Sequence, residues 1–167
     1  IYETNLNTQQ TFLKWHKPVE HILFVKKPND THTTTSLVKI AEHLSNTYRI
    51  KSYIQPHVYQ DENFENYDYI ITYKPEEKKQ LSTFIDAIIT LGGDGTVMWA
   101  NKLFDEIVPP LIAFAMGSLG FLTNFNIDNY MENLDTFLKG NILIIKRARL
   151  KCYILNNMNI FNNDTAA

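Results

Sequence analysis

Residues 87–96 read AIITLGGDGT, and this stretch decides the predicted fold. Residues 87–91 are apolar apart from Thr90, as expected of a strand that is buried on both faces of a parallel sheet. The strand leads directly into a glycine-rich loop. Beyond the loop, apolar residues recur on one helical face until Pro109-Pro110 forbids a helix: Val97, Ala100, Leu103 and Phe104. The stretch therefore predicts a strand, a loop and a helix.

The same pattern recurs on both sides of this stretch. Downstream, Leu111–Met116 predicts a strand, 117–121 (GSLGF) a second glycine-rich loop, and 127–138 an amphipathic helix that Gly140 ends. Upstream, the pattern predicts a strand at 21–27, a turn at 28–30, a helix with Leu37, Ile40, Ala41 and Leu44 on one face, and a strand at 49–54. We expect a variable connection at 55–82, which contains one apolar run, 69–73.

After the helix predicted at 127–138 the pattern changes. Ile142–Ile145 predicts a strand, and residues 147–155 alternate polar and apolar, as in a half-exposed antiparallel strand. The predicted fold class is therefore α/β, a Rossmann-like parallel sheet flanked by helices, followed by the start of a second, mainly β domain. The predicted domains are an N-terminal extension at 1–20, the α/β domain at 21–146 and the truncated β domain at 147–167.

Composition narrows the class of protein. The chain has 167 residues, a formal net charge of −2 and no block of five like charges, which argues against nucleic-acid or membrane partners. Its apolar runs are far shorter than the ~20 residues of a membrane-spanning helix. A single cysteine, Cys152, excludes an internal disulfide, and the five histidines show no metal-ligand spacing. We expect a cytoplasmic protein without a protein-held metal.

The two glycine-rich loops should share one edge of the sheet. Each follows a parallel strand, and ligands of open α/β sheets bind where such loops leave the carboxyl ends of the strands. Gly92, Gly93 and Gly95 allow positive φ, so that backbone N–H groups can converge on a phosphate in front of the next helix. The loop matches neither the dinucleotide fingerprint nor the P-loop.

Asp94 is the unusual residue in this loop, because a carboxylate repels a phosphate beside it. It can accept a proton from an attacking hydroxyl, or help to hold a divalent cation. The alternative is that Asp94 is a helix N-cap, whose carboxylate binds N–H groups two or three residues further on.

Other residues offer weaker candidates, each with a structural alternative. Phe121 or Phe125 can stack on a base or belong to the core. Lys26 and Lys27 can face a phosphate or form a solvated strand end. Arg147 and Arg149 can bind an anion or form surface salt bridges, and Cys152 is expected to be a packing residue.

LGGDGT at 91–96, followed by PPLIAFAMGSLGFLTNF at 109–125, resembles the NAD kinase family. WHKP at 15–18 before ILFVKKPND, and KGN at 139–141 before RARLK, resemble the eukaryotic-type members. The resemblance implies an ATP-dependent kinase that phosphorylates the 2′-hydroxyl of the adenosine ribose of NAD, giving NADP. It implies NAD and ATP as ligands, Mg²⁺ bound with ATP, and a homo-oligomer, either a dimer or a tetramer.

The resemblance also implies roles for single residues. Asp94 matches the proton acceptor, and Phe121 and Leu122 match the adenine side of the NAD pocket. The expected nucleotide-binding residues are Gly92, Gly93, Gly95, Thr96, Met98, Gly117, Ser118, Gly120, Phe121 and Leu122.

One departure from the family limits this expectation. The ribose-gripping Asn-Glu pair and the later Thr/Gly/Ser-rich segment of the family's second domain are not found in this chain. We therefore expect half a site, and no NAD phosphorylation by residues 1–167 alone. Two alternatives remain: a lipid kinase that shares GGDGT, such as a diacylglycerol or sphingosine kinase, and a nucleotide-binding module without catalysis.

Overall fold

The computed structural model describes residues 3–4, 10–150, 154–156 and 159–161, and their side chains from 11 to 150. The strands are β1 (Glu3–Thr4), β2 (Gln10–Leu13), β3 (His21–Lys26), β4 (Lys51–Ile54), β5 (Ile70–Thr72), β6 (Ala87–Gly92), β7 (Leu111–Ala115), β8 (Phe125–Asn126), β9 (Ile142–Ile145), β10 (Ile154–Asn156) and β11 (Asn159–Phe161). The helices are α1 (Thr31–Tyr48), α2 (Pro56–Asp61), α3 (Leu81–Phe84), α4 (Asp94–Lys102) and α5 (Tyr130–Lys139), with 3₁₀ turns at Phe64–Asn66, Pro75–Gln80 and Ile127–Asn129.

The chain divides into two compact units. Trp15–Gly140 forms one, and the second combines Ile1–Lys14 with Asn141–Ala167. The domain limits expected from the sequence, 20/21 and 146/147, stay a prediction.

The larger unit contains a parallel sheet of six strands in the order β5-β4-β3-β6-β7-β8. All six residues of β6 are buried, as are five of the six residues of β3. This confirms that the solid apolar runs mark strands covered on both faces.

Helices cover both faces of this sheet. The connection through α1 runs from β3 to β4 and the connection through α4 runs from β6 to β7, in opposite directions across the sheet. Right-handed crossovers therefore place α1 and α4 on opposite faces. On the α4 face, Ala100, Leu103 and Phe104 pack into one cluster with Leu23, Val25 and Ile88.

Local sequence signals set the start of α1 and the end of α5. The Asp30 side chain caps α1 by accepting from Thr33 N–H at 3.1 Å. All four residues predicted for the inner face of α1 are buried. Gly140 ends α5 with φ of 71°, as predicted.

Three short features differ from the sequence prediction. The connection at 55–82 holds α2, two 3₁₀ turns and the start of α3. It also holds the edge strand β5, which lies inside the apolar run at 69–73. Residues 125–126 form β8 beside β7, although no strand was predicted there. Helix α4 ends at Lys102, well before Pro109.

The described residues of the smaller unit form two antiparallel sheets. β9, a predicted strand, pairs with β2, which pairs with β1. The predicted strand at 147–155 is wrong at its start, because residues 146–150 form no strand. Cys152 lies outside the described residues, and β10 pairs with β11.

Candidate functional site

The parallel sheet has a switch point between β3 and β6. The chain builds outward from β3 to β5, then returns to place β6 on the other side of β3. The loops that follow these two strands are in contact, since Lys27 N–H donates to the Leu91 carbonyl at 2.8 Å. Open α/β sheets bind their ligands at this kind of crevice.

The first glycine-rich loop turns from β6 into α4 at this crevice. Gly92 has φ of 157°, and a Cβ there would overlap the Thr96 hydroxyl and lie 3.4 Å from the Lys27 Cβ. Gly93 and Gly95 differ, because neither has a positive φ and an added Cβ would meet no atom within 4 Å. The expected need for positive φ is therefore confirmed at Gly92 and wrong at Gly93 and Gly95, which leave open space in front of α4.

Asp94 is the first residue of α4, and its side chain does not cap the helix. Gly93 holds the cap position, with no side-chain cap hydrogen bond. The N-cap alternative is therefore wrong. The carboxylate instead binds the second glycine-rich loop: Oδ2 accepts from Phe121 N–H at 2.9 Å, and Oδ1 accepts from Leu122 N–H at 2.9 Å. The two loops share an edge, as expected.

The side chain of Thr123, also in the second loop, adds to this contact. The Thr123 hydroxyl lies 3.3 Å from Asp94 Oδ1 and also accepts from Gly120 N–H at 2.9 Å. A Cβ on Gly120 would overlap Asp94 Oδ1 and lie 2.8 Å from Asp94 Cγ. Gly120 therefore has no room for a side chain while the carboxylate is in place.

These contacts stabilise the charged form of Asp94. Hydrogen bonds from the backbone N–H groups of Leu122 and Phe121 hold the pKa of Asp94 below its ordinary value of 3.8. A carboxylate offers about four acceptor positions, and the second loop supplies donors to both of its oxygens. Asp94 is therefore an ionised group held by the second glycine-rich loop.

The other predicted nucleotide-binding residues lie in these two loops or just beyond them. Met98 follows Asp94 by four residues on α4, hence on the same helical face, and its side chain is 58% exposed. Phe121 is 79% exposed, which is unusual for a large aromatic residue. Leu122 and Thr96 are half-buried, and Gly117 and Ser118 are exposed at the start of the second loop.

The two lysines at the end of β3 have different environments. Lys26 is buried and its ammonium lies 2.5 Å from Glu62 Oε1, so it neither faces a phosphate nor forms a solvated strand end. The Lys27 side chain is 61% exposed beside Gly92, with its ammonium 3.1 Å from Asp30 Oδ2. Phe125 is exposed in β8, and Arg147 and Arg149 are exposed.

Two residues of this region were not singled out by the sequence. Thr123 falls inside GSLGFLT, but only the fold shows that its hydroxyl contacts Asp94. Glu62 lies in the connection at 55–82, where no pattern signalled a partner for Lys26. Among the residues that the structure describes, no group of three or more His, Cys, Asp or Glu side chains could hold a metal ion. None of the described helices is both long and apolar enough to cross a membrane.

Comparison with known sequences assigns the family. Residues 22–142 match the sequence model of the ATP-NAD kinase N-terminal domain, and this range holds both glycine-rich loops. The chain belongs to the ATP-NAD kinase family.

Named relatives and a solved structure agree with this assignment. The chain is 38% identical over 154 residues to probable NAD kinase 1 of Oryza sativa subsp. japonica, covering 90% of this chain and 29% of that protein. It is 35% identical over 145 residues to ATP-NADH kinase YEF1 of Saccharomyces cerevisiae (strain ATCC 204508 / S288c), covering 80% and 29%. The crystal structure of yeast NADH kinase complexed with NADH is similar with a TM-score of 0.66 and 28% identity, covering 81% of this chain and 42% of that one. The chain thus spans about three tenths of the length of these two curated relatives.

Proposed function

We propose that this chain supplies part of the active site of a kinase that transfers the γ-phosphoryl group of ATP to the 2′-hydroxyl of the adenosine ribose of NAD, giving NADP. One observation carries the proposal: an ionised Asp94 held between two glycine-rich loops at the switch point of the sheet. The named relatives support the choice of substrate, because they are NAD and NADH kinases.

Asp94 orients the attacking hydroxyl. The 2′-hydroxyl donates its hydrogen bond to Oδ2, which points its oxygen lone pair at the γ-phosphorus. As the new O–P bond forms, the bond between the γ-phosphorus and the β,γ-bridging oxygen breaks, ADP leaves, and the proton passes to Asp94 and then to solvent. A low pKa suits this role, since positioning rather than strong basicity dominates phosphoryl transfer.

The loop around Asp94 receives the phosphates. Open space at Gly93 and Gly95 lets the phosphate oxygens approach the N-terminus of α4, where N–H groups and the helix dipole favour negative charge. Lys27, exposed beside Gly92, adds a cation on the β3 side of the crevice. ATP enters as its Mg²⁺ complex, with the cation held by the phosphates, and no residue of this chain is assigned to it.

The exposed apolar residues suit the adenine of NAD. Phe121 offers a ring for stacking, and Met98 a flexible thioether on the neighbouring helix. Their exposure is explained when a planar base covers them.

A substrate-choice assay tests the proposal. The protein at its natural length is incubated with Mg-ATP and one acceptor at a time: NAD, NADH, diacylglycerol or sphingosine. The products are identified by mass spectrometry. We expect phosphorylated NAD or NADH and no phosphorylated lipid. A phosphorylated lipid would favour the lipid-kinase alternative, and nucleotide binding by calorimetry without any product would favour the non-catalytic module.

A further inference from the structure

We propose that Thr123 and Gly120 are positioning residues that fix the orientation of the Asp94 carboxylate for the reaction, an inference that rests on the proposed function. In this role they act through Asp94. The two residues, with Asp94, are called the loop latch below.

The direction of the Thr123 hydroxyl bond is set by its neighbour. The hydroxyl has one proton to donate, and its oxygen accepts from Gly120 N–H at 2.9 Å. With that lone pair occupied, the O–H is left to point at Asp94 Oδ1, 3.3 Å away. Thr123 is fully buried, so water does not compete for this hydrogen bond.

Gly120 makes the close approach possible. A Cβ at this residue would lie 2.6 Å from the Thr123 hydroxyl oxygen and 2.8 Å from Asp94 Cγ. Even one methyl group would therefore push the carboxylate and the hydroxyl apart. The same N–H of Gly120 also lies 3.3 Å from the Thr123 carbonyl, which closes the loop on itself.

The latch distinguishes the two carboxylate oxygens. Oδ1 accepts from Leu122 N–H and lies 3.3 Å from the Thr123 hydroxyl, and Oδ2 accepts from Phe121 N–H. We assign the substrate hydroxyl to Oδ2, the oxygen on the other side of the carboxylate from the Thr123 hydroxyl contact. Without Thr123 the two oxygens become nearly equivalent, and the carboxylate gains freedom to rotate about the Cβ–Cγ bond. Alignment errors of this kind lower the rate of the chemical step more than they lower substrate binding.

Two substitutions at one residue test the latch. Thr123→Val keeps the shape of the side chain and removes the hydroxyl, whereas Thr123→Ser keeps the hydroxyl. In the protein at its natural length we expect the Val variant to lose about tenfold in kcat with KM for NAD changed less than about twofold. The Ser variant should recover kcat to within about threefold of wild type. In an Asp94→Asn background, the Val substitution should have little further effect, because the group it orients is gone.

The outcomes separate the latch from the proposed function. Equal kcat for the Val and Ser variants, or full additivity with Asp94→Asn, would overturn the latch while leaving the kinase activity intact. If the wild-type protein phosphorylates no NAD, the proposed function fails, and the latch role in the reaction fails with it. Hydrogen exchange at the Phe121 and Leu122 amides then shows whether the contact exists at all. Should Thr123→Val not fold, Gly120→Ala displaces the same carboxylate, and unchanged kcat in that variant would overturn the inference.

Discussion

Gly92 and Gly95 lie three residues apart in one loop but lack side chains for different physical reasons. Gly92 has a positive φ and no room for a Cβ against Thr96, so its role is in the fold. Gly95 lies in the first turn of α4 with open space where a Cβ would be, so nothing in the protein itself requires glycine there. The proposed approach of a phosphate to the N-terminus of α4 requires glycine there.

Replacement of Gly95 by alanine should therefore separate stability from activity. Alanine restricts the unfolded chain and favours the helix, so Gly95→Ala should raise the free energy of unfolding by about 0.5 kcal/mol. The same methyl group enters the phosphate space, and kcat/KM for ATP should fall at least about tenfold. Urea unfolding and steady-state kinetics measure the two effects. Gly92→Ala is the control that must lose stability, and an active, stabilised Gly95→Ala protein would contradict the phosphate role.

The ionised carboxylate of Asp94 joins the start of α4 to the second glycine-rich loop by accepting hydrogen bonds from that loop. The pKa of Asp94 is lowered by the backbone N–H groups of Leu122 and then Phe121. A lowered folded-state pKa means that the contact stabilises the protein above the unfolded value of 3.8 and is lost as the pH falls through the folded value.

Titration of the loop amides checks this linkage. We expect the amide proton shifts of Phe121 and Leu122, followed by NMR, to change together with one midpoint below 3.8, because both N–H groups donate to the same carboxylate. In Asp94→Asn the shared transition should disappear. Independent midpoints for the two amides, or a midpoint above 3.8, would show that the carboxylate does not join these elements.

A second charged contact fixes the elements on the β3 side of the crevice. The Lys26 side chain is 1% exposed and its ammonium lies 2.5 Å from Glu62 Oε1, while Glu62 Oε2 accepts from the Thr34 hydroxyl at 2.6 Å. The pair thus ties the end of β3 to α1 and to the segment after α2.

Removal of one partner should be costly because it leaves a buried charge. Glu62→Gln should lower the free energy of unfolding by about 3 kcal/mol at neutral pH, as measured by urea unfolding. Glu65→Gln, at an exposed residue of the same segment, should change it by less than about 0.5 kcal/mol. Restoration of most of the loss in the double variant Lys26→Met/Glu62→Gln would confirm the cause, and similar losses in both single glutamate variants would contradict it.

The elements also show what sequence patterns can and cannot predict. β3, β6 and β7 were predicted because strands covered on both faces have solid apolar runs, and α1 and α5 because of their helical spacing. β5 and β8, of three and two residues, have too few residues for a period and form by pairing with a neighbouring strand.

The candidate site shows the same limit. The site residues in GGDGT and GSLGFLT could be predicted from the sequence, because each of these loops follows a predicted parallel strand. The local pattern could not distinguish an N-cap from a contact with Phe121 and Leu122, because that contact joins residues far apart in the chain.

For the whole molecule, the crevice between β3 and β6 places the loops, the cation of Lys27 and the ionised Asp94 on one edge of the sheet. The curated relatives named above are about three times as long as the matched chain, so activity is best measured in the protein at its natural length. The central claim is that Asp94 promotes transfer to NAD from this edge.

Comparison of NADP formation by wild type and Asp94→Asn, with NAD and Mg-ATP, tests this claim most directly. Asparagine keeps the size of the side chain but loses the proton acceptor, and its amide NH₂ faces one of the loop N–H donors. We predict a fall in kcat of about a hundredfold or more, with NAD affinity changed little. Asp68→Asn, at an exposed turn residue, should keep wild-type kcat. A turnover of Asp94→Asn within about threefold of wild type would contradict the claim and leave Asp94 with only its contact to the second loop.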